Sequence, residues 1–201
     1  MMKRWAVLGI AALAIFAAAT GLFACWGTCA SAPAAPGALG RHRVLVAYFS
    51  RSGNTEVLAQ VIASETGGRL FRIVPAVPYS DVYEETVSRF RYERDNHIRP
   101  AVASKVDDME QYDVVFVGYP NWGGDIPPAV QSFLTQYDLS GKTLVPFCTH
   151  GGGGLGRSLD TLKTLCPDSI IRKGFEVNGR RVVQCGDDVN QWLESIGLKD
   201  L

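Results

Sequence analysis

Val44-Leu-Val-Ala-Tyr-Phe-Ser-Arg-Ser-Gly-Asn-Thr55 is the stretch that decides the architecture. Its first half, Val44 to Phe49, is a continuous apolar run, as expected for a strand covered on both faces. Its second half carries three hydroxyl side chains, a glycine and an asparagine, and leads straight into a helical pattern over 55–66. Within that pattern Val57, Leu58, Val61 and Ile62 line one face, and Gly67-Gly68 ends it. A buried strand, a polar turn and an amphipathic helix together form the opening unit of a parallel α/β sheet.

The same alternation continues outward. Leu70 to Val74 reads as a second strand, and the charged stretch from Tyr79 to Ala101 is helical in its middle, stopping near Pro100. Val114 to Gly118 is a third strand, followed by a short helix over 129–137 that Pro127-Pro128 opens. Thr143 to Cys148 is the fourth strand, with a helix over 155–165. Ile170 to Glu176 is the fifth strand, and a helix over 187–196 closes the chain. The pattern predicts an α/β fold, a doubly wound five-stranded parallel sheet with helices on both faces.

Charge narrows the function. The 201 residues carry zero formal net charge, but residues 1–40 hold only Lys3 and Arg4 and no acid. The remainder has 18 basic against 20 acidic residues, a net of −2, and no basic stripe, so nucleic acid is not an expected partner. The cysteines are Cys25, Cys29, Cys148, Cys166 and Cys185. None has metal-site spacing, and an odd count argues against a full disulfide framework. The last three read as small apolar core residues, with a Cys166–Cys185 bridge as the other reading.

Lys3 and Arg4 precede an uncharged, mostly apolar stretch from Trp5 to about Trp26, the pattern of an export signal or membrane anchor. The leading positive charges favour a cytoplasmic N-terminus and place the downstream chain outside. Leu22-Phe23-Ala24-Cys25 resembles a bacterial lipobox, which would make Cys25 the lipidated residue. Three outcomes stand open: a lipoprotein, an uncleaved anchor or a cleaved signal. A Pro/Ala/Gly-rich run comes next. The expected organisation is therefore 1–26 signal peptide or anchor, 27–40 linker and 41–201 domain, exported and held at the extracytoplasmic side of the membrane.

Ligands of open α/β sheets bind beyond the carboxyl ends of the strands. After strand one, Ser50, Arg51, Ser52, Gly53, Asn54 and Thr55 stand at a helix N-terminus, where donors and dipole favour an anion. Simple N-capping accounts for one hydroxyl and leaves two. After strand three, Pro120, Asn121, Trp122, Gly123 and Gly124 place an indole among small residues, suited to stacking on a flat ring, with backbone amides free to approach the ring's rim. After strand four come Thr149, His150, Gly151 and Gly152. His150 is the one weak catalytic candidate; holding its loop is the other role open to it.

Three motif matches fail on context. Gly141-Lys142-Thr143 has Gln136 where a phosphate-binding P-loop needs glycine. The G-x-G-x-x-G match at Gly151, Gly153 and Gly156 follows the fourth strand rather than the first. His150-Gly151-Gly152-Gly153 looks like an esterase oxyanion motif, but no G-x-S-x-G elbow accompanies it.

The three loops, in this order, resemble the flavodoxin family over Arg43 to about Leu198. Ser50-Arg-Ser-Gly-Asn-Thr55 matches that family's phosphate loop, and the Tyr119 and Cys148 loops look like the two that hold the isoalloxazine ring. Pro78-Tyr79-Ser-Asp-Val-Tyr83 is similar to a P-Y-x3-Y segment of bacterial flavodoxin-like proteins. The resemblance implies FMN as cofactor, Ser50, Ser52, Asn54 and Thr55 around its phosphate with Arg51 adding charge, and Trp122 against the ring. Well-known flavodoxins place a second aromatic in the loop after strand four. This chain has none there, leaving the other ring face open or covered by Tyr79 or His150. The expected function is FMN-dependent electron transfer, with a redox partner protein or a small-molecule electron donor or acceptor. An FMN-dependent NAD(P)H or quinone oxidoreductase and a flavin-free binding module are the alternatives.

Overall fold

The computed structural model describes residues 43–199. The signal, lipobox and linker readings lie outside the described residues.

Among the described residues, six strands form one sheet. β1 (Val44–Tyr48), β2 (Arg69–Arg72), β3 (Val114–Pro120) and β4 (Thr143–His150) run in spatial order 2-1-3-4. Two short strands, β5 (Ile170–Ile171) and β6 (Phe175–Asn178), both pair with the free side of β4. All pairings are parallel. The chain order reverses between β1 and β3, which makes that edge the switch point where such sheets bind ligands.

Alternation along each buried strand feeds two cores. Leu45, Ala47, Val115, Val117, Tyr119 and Leu144 face one side with Val130, Phe133 and Leu134 of α3 (Pro128–Leu134) and Leu162 of α4 (Ser158–Leu165). Val44, Val46, Phe116, Val145 and Phe147 face the other. There they meet Leu58 and Ile62 of α1 (Asn54–Thr66) and Val189, Trp192 and Leu193 of α5 (Gly186–Ser195). α2 (Tyr83–Asp95) turns Phe90 inward onto Trp122 of the loop after β3.

Two expectations change. The strand expected over 170–176 is interrupted: β5 pairs with residues 143–144 of β4 and β6 with residues 147–150. Pro146 lies between these stretches and has no N–H to give an edge strand. A Cβ on Gly174 would come to 3.0 Å from the Pro146 carbonyl oxygen, so a larger residue there would require the Pro146 backbone to shift. The Cys166–Cys185 bridge is absent. Both thiols are free, and they lie in the cores on opposite faces of the sheet.

Candidate functional site

The loop after β1 is built around one burial. Ser50 is 5% exposed, and its Oγ has no hydrogen-bond partner among the described residues. A buried hydroxyl without a partner costs about 1–3 kcal/mol. Gly53 caps α1 at φ +89°, a left-handed conformation that a side chain would strain. Thr55, at the first turn of the helix, is buried, and its Oγ1 lies 2.8 Å from Thr149 Oγ1 at the end of β4. That pair holds two hydroxyl protons and its mutual bond uses one, leaving a second for a ligand. Ser52 is exposed and Asn54 half-buried at the mouth.

Arg51 borders the cleft and has a second engagement besides. Its guanidinium donates from Nε to the Ser80 carbonyl (3.2 Å) and from Nη2 to the Asp81 carbonyl (2.6 Å). It joins the phosphate loop to the segment that starts α2.

The loop after β3 presents Trp122, half-buried, with three rings against it edge-on or tilted. Phe49 lies at 5.4 Å and 86°, Tyr79 at 4.9 Å and 87°, and Phe90 at 5.7 Å and 67°. Such pairs add about 0.5–1.5 kcal/mol each beyond burial. Behind them Tyr79 donates its hydroxyl proton to Glu93 Oε2 (2.6 Å), and Arg89 Nε bonds Oε1 (2.7 Å) while its guanidinium lies over the Tyr79 ring. Burial, then the Glu93 carboxylate, pushes the Tyr79 phenol well above its ordinary range. Tyr79 therefore buttresses Trp122 and does not cover a second ring face.

Gly123 and Gly124 form the turn itself. Both have positive φ, 62° and 82°, between the paired residues Trp122 and Asp125, the geometry of a tight type I′ turn. The Gly124 N–H is taken by Asn121 Oδ1 at 2.8 Å, so it does not stand ready for a ring's rim. Asn121 also ties the loop to β4, through its backbone N–H to the Thr149 carbonyl, and to the loop after β4, through its side-chain N–H to the Gly154 carbonyl.

After β4 the wall is polar. His150 Nδ1 accepts from the Gly152 N–H (2.9 Å), and Nε2 lies 2.6 Å from Glu176 Oε2 on β6. Both ring nitrogens are engaged by protein groups, which is the loop-holding arrangement. Gly151 and Gly152 are exposed. Cys148 lies beneath, its thiol pushed up to about 12 by burial.

These loops border one cleft of about 430 Å³, to which Arg51, Ser52, Asn54, Pro120, Asn121, Trp122, Thr149, His150 and Gly151 contribute. Of the other expected residues, Ser50 and Thr55 lie buried in the loop after β1, Gly53, Gly123 and Gly124 shape turns, and Gly152 anchors His150. The flavodoxin family model matches residues 43–196. The chain belongs to the flavodoxin family.

Among its relatives, an NAD(P)H dehydrogenase (quinone) from Paraburkholderia phymatum is 32% identical over 122 residues, 55% of this chain and 59% of that protein. The chain thus spans about three-fifths of the length of that relative. The crystal structure of a Bacteroides eggerthii protein classed as a flavoprotein shares 35% identity, covering 78% of this chain and 99% of that one with a TM-score of 0.68. A Lactobacillus acidophilus flavoprotein crystallised in complex with FMN has a TM-score of 0.58, covering 71% of this chain and 97% of that one. At 19% identity that likeness concerns the fold.

The flavodoxin-family cleft here has further walls outside the three loops. Asn178, the last residue of β6, and Gly179 and Arg180 after it border the cleft, as does Tyr83, the last residue of the Pro78–Tyr83 segment, at the start of α2. The first three end or follow a strand at the ligand edge, so the rule that singles out the other loops points to this one too. Ending the last strand at Glu176 hid it.

Proposed function

We propose that the protein binds FMN in this cleft and transfers electrons at the outer side of the cytoplasmic membrane, held there by its N-terminal segment. The observation that carries the reading is Ser50. A buried, unpartnered hydroxyl at the head of a helix is a group that a phosphate oxygen would satisfy. Ser52, Asn54 and Thr55 would complete that cradle. Trp122, fixed by its three aromatic neighbours, offers a rigid surface for the ring, and the Thr149–Gly152 loop closes the far edge. FMN, when bound, supplies the redox chemistry; the chain binds it, orients it and sets its electrostatic surroundings. The FMN complex of the Lactobacillus acidophilus flavoprotein, which has the same fold, is consistent with this. The charged start of the chain and the apolar stretch behind it support export.

A second reading, an FMN-dependent NAD(P)H or quinone oxidoreductase, is favoured by relatives named for NAD(P)H–quinone chemistry at 30–32% identity. The polar, glycine-rich wall after β4 is also compatible with access for a small substrate. Purified full-length chain assayed with NAD(P)H and a quinone separates the two. Sustained turnover selects the oxidoreductase; reduction only by a protein donor selects the carrier. Protein that carries no flavin and binds none on titration would reject both in favour of a flavin-free module.

A further inference from the structure

The loop after β4 lacks the second aromatic expected beside a flavin, and the two substitutes suggested by sequence are engaged elsewhere. Tyr79 is turned onto the Trp122 ring with its hydroxyl on Glu93. His150 has both nitrogens occupied. One further aromatic side chain borders the cleft. Tyr83, the first residue of α2, is 67% exposed, a large apolar surface left in water. It stands between the 430 Å³ cleft and an adjoining groove of about 280 Å³, and both also touch Arg51, Asn121 and Trp122.

Its mounting is elaborate for an exposed residue. The Ser80 carbonyl accepts Arg51 Nε (3.2 Å) and the buried Thr86 Oγ1 (2.6 Å), while Ser80 Oγ accepts the Val82 N–H (3.1 Å). The Asp81 carbonyl accepts Arg51 Nη2. The backbone just before Tyr83 is therefore fastened to the phosphate loop on one side and to the first turn of α2 on the other. A plain N-cap would need one such bond.

We propose that Tyr83 is the second aromatic contact of the bound flavin, and that Arg51 is the positioning residue that mounts it at the mouth of the cleft. This rests on the FMN reading above and extends it. Stacking on the ring buries apolar surface that Tyr83 otherwise exposes, and it covers the bound ring from a different element than the strand-four loop. Arg51 then acts mainly through Tyr83 rather than as a counter-charge to the phosphate.

The test compares FMN with riboflavin, which lacks the phosphate, on flavin-stripped full-length protein in detergent. Tyr83→Ala should weaken both ligands by the same factor, about two- to tenfold, and Tyr83→Phe should restore the wild-type affinities. Arg51→Met should weaken both ligands in proportion, and adding Tyr83→Ala to it should bring no further loss. Because Tyr83 is exposed, the thermal unfolding of apo Tyr83→Ala should match the wild type, separating a contact from a folding defect. Wild-type binding with an unchanged Tyr83→Ala overturns the inference while leaving the FMN reading intact. An Arg51→Met variant that loses affinity for FMN alone assigns Arg51 to the phosphate and overturns its mounting role. A wild type that binds neither flavin brings down the reading and the inference together.

Discussion

The two walls of the cleft are held by opposite means. The loop after β3 is packed: Trp122 is braced by Phe49, Tyr79 and Phe90, which arrive from three separate segments, and Tyr79 is braced in turn by Glu93 and Arg89. The loop after β4 is strung on polar links, His150 to Glu176 and Asn121 to the Gly154 carbonyl, over exposed glycines. Packing of several rings fixes a surface in one orientation, because each displacement loses many contacts together. Single polar links at half-exposed residues contribute less and let a loop adjust. On the function proposed above, recognition of the ring's flat face would fall to the first wall and access to the second.

The largest expected effect breaks the packed wall from behind. Glu93 is 4% exposed and its carboxylate accepts both Tyr79 and Arg89. Glu93→Ala should lower unfolding free energy by about 3 kcal/mol in denaturant titration, since it strands a buried hydroxyl and a partly buried cation. A loss below about 1 kcal/mol would show that the brace is incidental.

Next, Trp122→Ala should weaken FMN binding by about 1–3 kcal/mol, a five- to 150-fold rise in Kd. Trp192→Ala is the control. Trp192 is buried between Phe116 and Phe175 on the other face of the sheet, and its Nε1 donates to the Lys173 carbonyl. Its loss should cost about 3–5 kcal/mol of stability with little change in Kd. Equal effects on Kd would reduce Trp122 to packing.

How much of this contrast the sequence revealed depends on range. The both-face strands, the hydroxyl-rich turn and the position of Trp122 were legible, because each depends on neighbours within a few residues. The brace was not, since Phe49, Tyr79 and Phe90 meet Trp122 only through tertiary packing. The break between β5 and β6 had a local signal in Pro146, but it lay in the neighbouring strand and became readable only with the pairing known. The tie from Arg51 to the Ser80 and Asp81 carbonyls was not legible either, because the sequence shows its charge and not its partners.

A smaller effect concerns pH. Burial raises Cys148 to about 12 and Cys166 to about 11, and raises the Tyr79 phenol. These groups hold their protons more tightly when folded, so their contribution is complete below the unfolded values. It is lost as pH rises, from about 8.5 for thiols and about 10 for tyrosine. Unfolding free energy should therefore fall progressively above about pH 8.5, and Tyr79→Phe should flatten the decline above about pH 10. Stability that rises with pH in that window would contradict the burial of these groups. The smallest effect belongs to the polar wall: Glu176→Gln should change stability by less than about 1 kcal/mol, while speeding flavin release measured by stopped flow. Unchanged release would detach His150 from the cleft.

Ser50, Ser52, Asn54 and Thr55 are assigned to a phosphate, and the ratio of FMN to riboflavin affinity for the wild-type protein tests that most directly. Charge-assisted hydrogen bonds from a buried hydroxyl and a helix N-terminus predict FMN binding tighter than riboflavin by on the order of 100-fold. Equal affinity for the two would show that the loop after β1 does not hold the phosphate and would contradict the site as described.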